Sequence, residues 1–522
     1  MSYCSVAYNF RTRTWDIPGN YILIGIGVLL SSFILYVITL APTVIWGDSA
    51  AFALHSKELR FKYGAEGHPL FIILGRLFSF LPFELAYSLN LLSAVSASLG
   101  VFLVYLVIYE ITRSKISSLA GALALCLSHA FWLHAVIAEV YDLNAAFIAA
   151  IILFLLKWRN DKDNYNFLYI VAFLFGLGLT NHRLMAFETI GIVFFVIATE
   201  PRVFLKLRVM FFALLSFFIG SLPLIILFLK DLPEKPVVEI ADTFTGGEYK
   251  EAVIKYSPKI FQEIGLYLAY LFYQFPLIGF LLGFAGIVAL FRRDKRLAVF
   301  FALLISVNAA FFIKFGPGYG STKYTFYIST YMVFSLLIGY GFYLCQGILR
   351  DRGYSTKKYS LLMIMLVFLS PILLYNITPY ASKALNMDVL KTRTIPYRDN
   401  EKYFLNPVKR GYYGAAQFAK EALTKAKPNS IILADYTLGP PLMYFQEIKG
   451  MRKDITLLYI NRNVEVPGER IRPSDFISQH YENKDIYLAD IKKEKFYRIR
   501  SLQDEYDFVP EGVLYRVVRK PR

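Results

Sequence analysis

Residues 21–40 read YILIGIGVLLSSFILYVITL, and residues 41–49 continue APTVIWGDS. An uncharged apolar stretch of this length matches the roughly 20 residues an α-helix needs to cross a hydrocarbon core. Inside a bilayer only a helix or a closed barrel satisfies its own backbone hydrogen bonds, so the stretch decides for a membrane helix. Pro42, Gly47 and Asp48 then signal a polar turn. The run is too long for the apolar region of a cleavable signal and lacks a convincing cleavage site. It is expected to be the first span, with Arg11 and Arg13 ahead of it on the cytoplasmic side.

The rest of the 522-residue chain repeats this pattern. Hydrophobic residues make up 56% and charged residues 18%, against roughly 45–50% and about 25% in soluble domains. Eleven spans are expected, near residues 20–40, 85–110, 116–134, 143–158, 165–180, 184–199, 208–230, 264–291, 297–314, 324–346 and 359–376. Short basic turns recur on one side: Arg113 and Lys115, Lys157 to Lys162, Arg202 to Arg208, Arg292 to Arg296, Arg350 to Lys358. Opposite loops, such as Lys230 to Lys259, are longer and of mixed charge. That alternation is the positive-inside pattern, and an odd span count puts the C-terminal region outside. The expected architecture is therefore a polytopic α-helical membrane domain over residues 1–376. An exterior soluble α/β domain follows over 377–522, with strands near 430–434, 455–460, 485–488 and 513–518 and a helix near 441–448.

The net charge of +17 follows from the basic turns, and clusters between apolar runs argue against a nucleic-acid partner. Cys4, Cys126 and Cys345 supply neither a disulfide framework nor zinc spacing. No Walker-type loop or Gly-rich dinucleotide fingerprint is present, which argues against a nucleotide donor.

The candidate functional residues lie in the exterior turns. Asp48 is costly to bury near lipid, so it is either a functional carboxylate or the solvated cap of a helix beginning at Ala50. Gly67-His68-Pro69-Leu70 precedes Phe71–Leu81, which carries Arg76 and reads as a helix on the exterior interface; His68 taken alone is equally a hydrogen-bonded structural histidine. Glu139, Tyr141 and Asp142 share a turn where carboxylates suit a divalent metal, with a hydrated turn as the alternative. Asn181-His182-Arg183 joins an amide, an imidazole and a guanidinium able to hold phosphate oxygens, unless Arg183 merely snorkels. Lys323 follows Gly316-Pro317-Gly318-Tyr319-Gly320 and is expected as a second phosphate contact. Topology places Asp48, His68, Glu139, His182, Arg183 and Lys323 on one face. Acids and bases clustered at a bilayer surface suit chemistry on a lipid-linked substrate, with a carboxylate taking an acceptor's proton and cations stabilising a departing phosphate.

Several stretches together resemble the C-type (GT-C) superfamily of membrane glycosyltransferases. Within it they resemble the family once labelled domain of unknown function 2723, which includes the transmembrane protein 260 O-mannosyltransferase. They are Ala41-Pro42-Thr43 with Gly47-Asp48-Ser49; His68-Pro69; Leu74-Gly75-Arg76-Leu77-Phe78; Asn90-Leu91-Leu92-Ser93-Ala94; Ala138-Glu139-Val140-Tyr141 with Leu143-Asn144; and Gly178-Leu179-Thr180-Asn181-His182. Tyr327 with Thr330-Tyr331, Ile338-Gly339-Tyr340-Gly341, Pro428 to Ile432 and Arg452 to Thr456 extend the likeness over most of the chain.

The resemblance implies inverting transfer of a sugar, mannose in the named relative, from a polyprenyl-phosphate donor to a hydroxyl of a protein or glycan. It implies Asp48 as general base and His182 beside the donor phosphate. Two departures stand out. Ala50 and Ala51 follow Ser49 where the family runs Asp-Ser-Gly-Glu, so the second carboxylate's role is vacant or passes to Glu139. Leu70 and Phe71 follow Pro69 where the family runs His-Pro-Pro-Gly.

The expected site is thus Asp48 and Glu139 as catalytic groups. His182, Arg183, Lys323 and His68 are expected on the donor phosphate, and Trp46, Tyr141, Asn181 and Arg76 on substrate. No cofactor is indicated. The competing expectation is a transporter or flippase of lipid-linked substrates, whose intramembrane charges would line a path.

Overall fold

The computed structural model describes residues 20–61, 67–233, 235–244, 259–315, 320–387 and 392–521. Arg11, Arg13, most of the loop from Lys230 to Lys259, and Gly316 to Tyr319 lie outside the described residues. Each of the eleven apolar runs folds as helix. Helices α1 (Asn20–Thr39), α2 (Asp48–Glu58), α3 (Pro69–Phe78) and α4 (Leu85–Thr112) lead, followed by α5 (Lys115–Cys126) and α6 (His129–Ala135). Then come α7 (Tyr141–Asn160), α8 (Asn166–Asn181), α9 (Glu188–Thr199), α10 (Leu207–Gly220) and α11 (Leu222–Asp231). Later helices span Ile260–Gln274, Ile278–Arg293, Lys295–Phe315, Ile328–Asp351 and Thr356–Ala384.

Six helices among the described residues are long and apolar enough to cross a membrane, or nine when each bent pair counts as one span. The bends fall at α5/α6 (68°), α10/α11 (66°) and Ile260–Gln274/Ile278–Arg293 (112°). Pro223 in the first turn of α11 and Pro276 in the third break lack the N–H that would continue a ladder. The expected spans 165–180 and 184–199 are the two that fall short of this test. They fold as α8, of 16 residues, and α9, of 12 residues, less than the length a lone span requires. Between them His182 is extended and Arg183–Phe187 forms a 3₁₀ turn, so the chain reverses at the polar residues.

Helix α4 is the hub, packed by α1, α5 and α7, and its buried face includes Asn90, Ser93 and Tyr105. Helices α8 and α10 cross backbone to backbone. A Cβ on Gly220 would sit 2.2 Å from the Phe173 carbonyl oxygen, and one on Gly176 would sit 2.4 Å from that of Phe217. Small residues at such crossings let helices associate in lipid through close van der Waals contact.

The C-terminal region holds a seven-stranded mixed sheet, order β4-β3-β2-β1-β5-β7-β6. Its strands are β1 (Ile431–Ala434), β2 (Thr456–Asn461), β3 (Asn463–Val466), β4 (Glu469–Ile471), β5 (Ile486–Leu488), β6 (Tyr506–Glu511) and β7 (Leu514–Arg519). Strand β1 is buried throughout and pairs in parallel with β2 (Ile431 opposite Thr456) and β5 (Ile431 opposite Ile486), as expected of a strand covered on both faces. The expected strands match β1, β2, β5 and β7. The hairpin strands β3, β4 and β6 were not anticipated.

The sheet domain seats on the loop after α1. The Lys409 N–H donates to the Thr39 carbonyl at 3.0 Å and the Gly47 N–H to that of Thr437 at 3.2 Å. Lys449 pairs with Glu84 at 3.1 Å and Arg60 with Glu447 at 2.9 Å. Helix α2 is held between this domain and α3 and α4. Helix α3 buries Pro69 to Ile72 against neighbouring helices rather than resting on the interface alone.

Candidate functional site

The polar residues meet where α2 begins, α6 turns into α7, and α8 ends. Gly47 precedes α2 with φ +66°, a left-handed conformation that glycine adopts without the Cβ penalty. This places Asp48 in the first turn of α2, exposed, with no capping bond from the residue before it. A carboxylate in a helix's first turn is favoured by the helix dipole.

Glu139 sits in the short turn before α7. Its N–H donates to Ser93 Oγ at 3.0 Å, and Ser93 Oγ donates back to the Glu139 carbonyl at 3.1 Å, so α4 clamps this backbone. Burial and then the nearby charge of Asp48 hold the Glu139 carboxyl well above the usual carboxylate range. Two carboxyl groups in one field with unequal surroundings divide into a neutral and an ionised member. Asp142, one turn on, is fully buried, and neither of its carboxylate oxygens has a hydrogen-bond partner.

The histidines form the next layer. His68 donates from Nδ1 to the Asn181 carbonyl at 2.6 Å, and its ring centroid lies 5.1 Å from that of His182. His182 Nδ1 accepts the Leu184 N–H at 3.0 Å. Burial first, then His68 and Arg183, push the His182 imidazole well below its ordinary value. A neutral ring accepting at Nδ1 carries its proton on Nε2, so it presents a donor. Burial lowers the adjacent Arg183 only to about 10, which leaves it cationic at neutral pH. Tyr141 bridges two imidazoles, its ring 5.1 Å from His182 and 5.1 Å from His134.

Not every expected residue joins this cluster. Asp48, Glu139, Tyr141, His68, Asn181, His182 and Arg183 come together. Asn181 is fully buried, and its side-chain amide donates to the Val140 carbonyl at 3.0 Å, so it acts as a strut for the turn. Trp46 faces the sheet domain, with Nε1 donating to the Tyr412 hydroxyl at 2.6 Å and the ring 5.7 Å from Phe418. Arg76 lies at the far end of α3, donating to the Lys57 carbonyl at 2.6 Å and covering Phe80. Lys323 is buried and paired with Glu263 at 2.5 Å, although its neighbours Thr325 and Phe326 contact His134 and Tyr141.

Sequence reasoning missed the other wall. His134 Nε2 meets Thr325 Oγ1 at 3.1 Å; His129 touches the rings of Tyr273, Tyr324 and Tyr375. Two histidines inside an apolar run were the available signal. Lys409, only 2% exposed, had no local signal. Burial, then Lys402, lower it to about 7. Among the described residues no group of three or more His, Cys, Asp or Glu is placed to hold a metal ion.

The fold is shared with a solved protein of the same layout, ArnT from Cupriavidus metallidurans. The chain superposes on it in the apo state with TM-score 0.61 at 12% identity, covering 97% of this chain and 99% of that one. It superposes on the same protein bound to undecaprenyl phosphate with TM-score 0.57, again at 12% identity, covering 97% of this chain and 100% of that one. Residues 48–204 match the family described as the protein O-mannosyl-transferase TMEM260 N-terminal domain. The chain is similar to protein O-mannosyl-transferase tmem260 of Dictyostelium discoideum, 21% identical over 567 residues, covering 94% of this chain and 66% of the relative. The Mus musculus protein O-mannosyl-transferase TMEM260 is 24% identical over 174 residues, covering 32% of this chain and 25% of that one. The chain thus spans just under two thirds of the first relative's length and matches a quarter of the second's. Its helices and these likenesses make it a multi-pass integral membrane protein.

Proposed function

We propose that the chain is a glycosyltransferase moving a sugar, with mannose the first to test, from a polyprenyl-phosphate donor to a hydroxyl on the exterior side of the membrane. The observation that carries the reading is the meeting of Asp48, Glu139, His68, His182 and Arg183 at one end of the bundle from four separate turns. The ArnT fold, bound to undecaprenyl phosphate in one structure, supports a lipid-phosphate donor.

In this reading the donor's phosphate rests on His182 Nε2–H and Arg183, and its tail lies along the lipid-facing helices. The acceptor oxygen attacks the anomeric carbon from the opposite side. Its proton passes to Asp48, while the bond from that carbon to the phosphate oxygen breaks and both electrons leave with the phosphate. One displacement inverts the centre. The neutral Glu139 donates a hydrogen bond within the site, filling the place of the family's second carboxylate. Aspartate has a reference pKa near 3.9, which suffices when the proton moves late, as the attacking hydroxyl acidifies.

The test uses the purified chain in lipid nanodiscs with radiolabelled mannosyl-phosphoryl-polyprenol and Ser/Thr peptides. Acceptor-dependent release of polyprenyl phosphate and an inverted anomer on the product are expected. Movement of intact donor across vesicles without transfer would replace the proposal with the flippase reading.

A further inference from the structure

The segment joining the last membrane helix to the sheet domain carries two buried cations. Arg398 is 9% and Lys409 2% exposed. Both lie against one aromatic ring, with the Arg398 guanidinium 5.6 Å and Lys409 Nζ 5.2 Å from the Tyr403 centroid. Neither forms an ion pair among the described residues. Arg398 donates to Asn400 Oδ1 at 2.7 Å and to the Arg393 carbonyl at 3.0 Å. Lys409 Nζ donates to the Asn406 carbonyl at 2.6 Å. Asp435 acts on Arg398 only from a distance, being held by Arg393 at 2.6 Å and by Tyr497 at 2.9 Å.

Buried charges are normally paired, because desolvation costs several kcal/mol per ion. Two neighbouring cations with only carbonyl, amide and ring partners form an anion site. It adjoins His129 and His134, the latter ring 5.1 Å from that of Tyr141. Lys409 acts on the buried His129 and His134, and Tyr403 lies within electrostatic reach of Tyr324 and Glu139. Tyr141, flanked by His134 and His182, separates this site from the His182–Arg183 pair.

The two cationic sites face different media. His182 and Arg183 link α8 and α9, helices whose Phe173, Ile190, Val193 and Ile197 are exposed toward lipid. Arg398 and Lys409 lie at the seam with the polar sheet domain, where the Lys409 N–H donates to the Thr39 carbonyl. We infer that Arg398 and Lys409 form an acceptor subsite that binds a carboxylate side chain of an acidic peptide near its target hydroxyl. This deepens, and rests on, the glycosyltransferase reading. The Arg398 fork takes a carboxylate bidentately, and Lys409 gains a counter-charge for an amine that burial otherwise weakens.

The experiment measures KM and kcat with Ser/Thr peptides carrying Asp or Glu beside the hydroxyl and with their Asn/Gln counterparts. Anisotropy of the same peptides, fluorescein-labelled, reads binding without turnover. The wild-type chain is expected to favour acidic peptides by about 10- to 100-fold in KM. Lys409→Gln and Arg398→Gln should each abolish most of that preference and leave the donor KM unchanged, and Arg398→Lys should restore it in part. Melting temperatures are taken alongside; removing a buried unpaired cation should leave them level or higher. Equal KM for acidic and neutral peptides in the wild type overturns the inference, as does a rise in donor KM in the variants, which would assign the cations to the lipid phosphate. Transfer without acidic preference defeats this inference alone. Acidic binding in anisotropy without transfer supports the anion site and defeats the transferase reading.

Discussion

Asp48→Asn separates the two roles that a carboxylate at the start of α2 can play. Asn keeps the size and shape of the side chain and removes the charge. Asp48 lies in the first turn of α2, after Gly47 at the cap, so loss of its charge removes a helix-dipole contribution of about 0.3–1 kcal/mol. For a chain of this size that moves Tm by no more than about 2 °C. A general base contributes roughly 10²- to 10⁴-fold, equal to about 3–5 kcal/mol in the barrier. The catalytic effect therefore exceeds the structural one by several kcal/mol, and the two are read by different measurements. Single-turnover transfer from lipid-linked sugar in nanodiscs gives the rate, and thermal unfolding of the same preparation gives the stability. The expected result is a rate lowered at least 100-fold at unchanged donor KM, with Tm nearly constant. A rate within about threefold of wild type would refute the base assignment and leave Asp48 as a solvated first-turn residue.

Other perturbations test the surrounding framework. Lys323→Gln strands the partly buried Glu263, and breaking such a pair costs about 3–5 kcal/mol; Tm should drop clearly, and Lys323→Gln with Glu263→Gln should recover much of it. The Glu139 carboxyl lies above its ordinary range because of burial and then Asp48, so the folded chain binds this proton more tightly than the unfolded one. The associated stability is complete at pH below the unfolded carboxylate value and is lost as pH rises toward the folded value. Glu139→Gln should flatten Tm against pH above the ordinary carboxylate range, and parallel curves would contradict the assignment. Gly220→Val sets a Cβ 2.2 Å from the Phe173 carbonyl and forces α8 and α10 apart; a loss of about 1–3 kcal/mol or more should appear in thermal unfolding, and an unshifted Tm would deny the close crossing.

By itself the amino-acid sequence determined the features that depend on local composition. Apolar run length located all eleven helical segments, because burying an uncharged helix in lipid depends on its own residues. Short apolar runs located β1, β2, β5 and β7 for a similar reason. Even so, the helices at 166–181 and 188–199 fall short of a span, a shortening set by where the chain reverses at His182 and Arg183. Asp48, Glu139, His68 and His182 were legible because ionisable residues next to membrane helices are costly and so conspicuous.

Tertiary structure decided which polar residues meet. Trp46, Arg76 and Lys323 carry the right chemistry, yet packing directs them to Tyr412, the Lys57 carbonyl and Glu263. Arg398 and Lys409 lie in an unremarkable basic stretch, and only the tertiary fold brings Lys409 near His129 and His134. Hydrogen bonds and ion pairs between residues hundreds of positions apart depend on how helices cross, and no local pattern of residue types encodes a crossing.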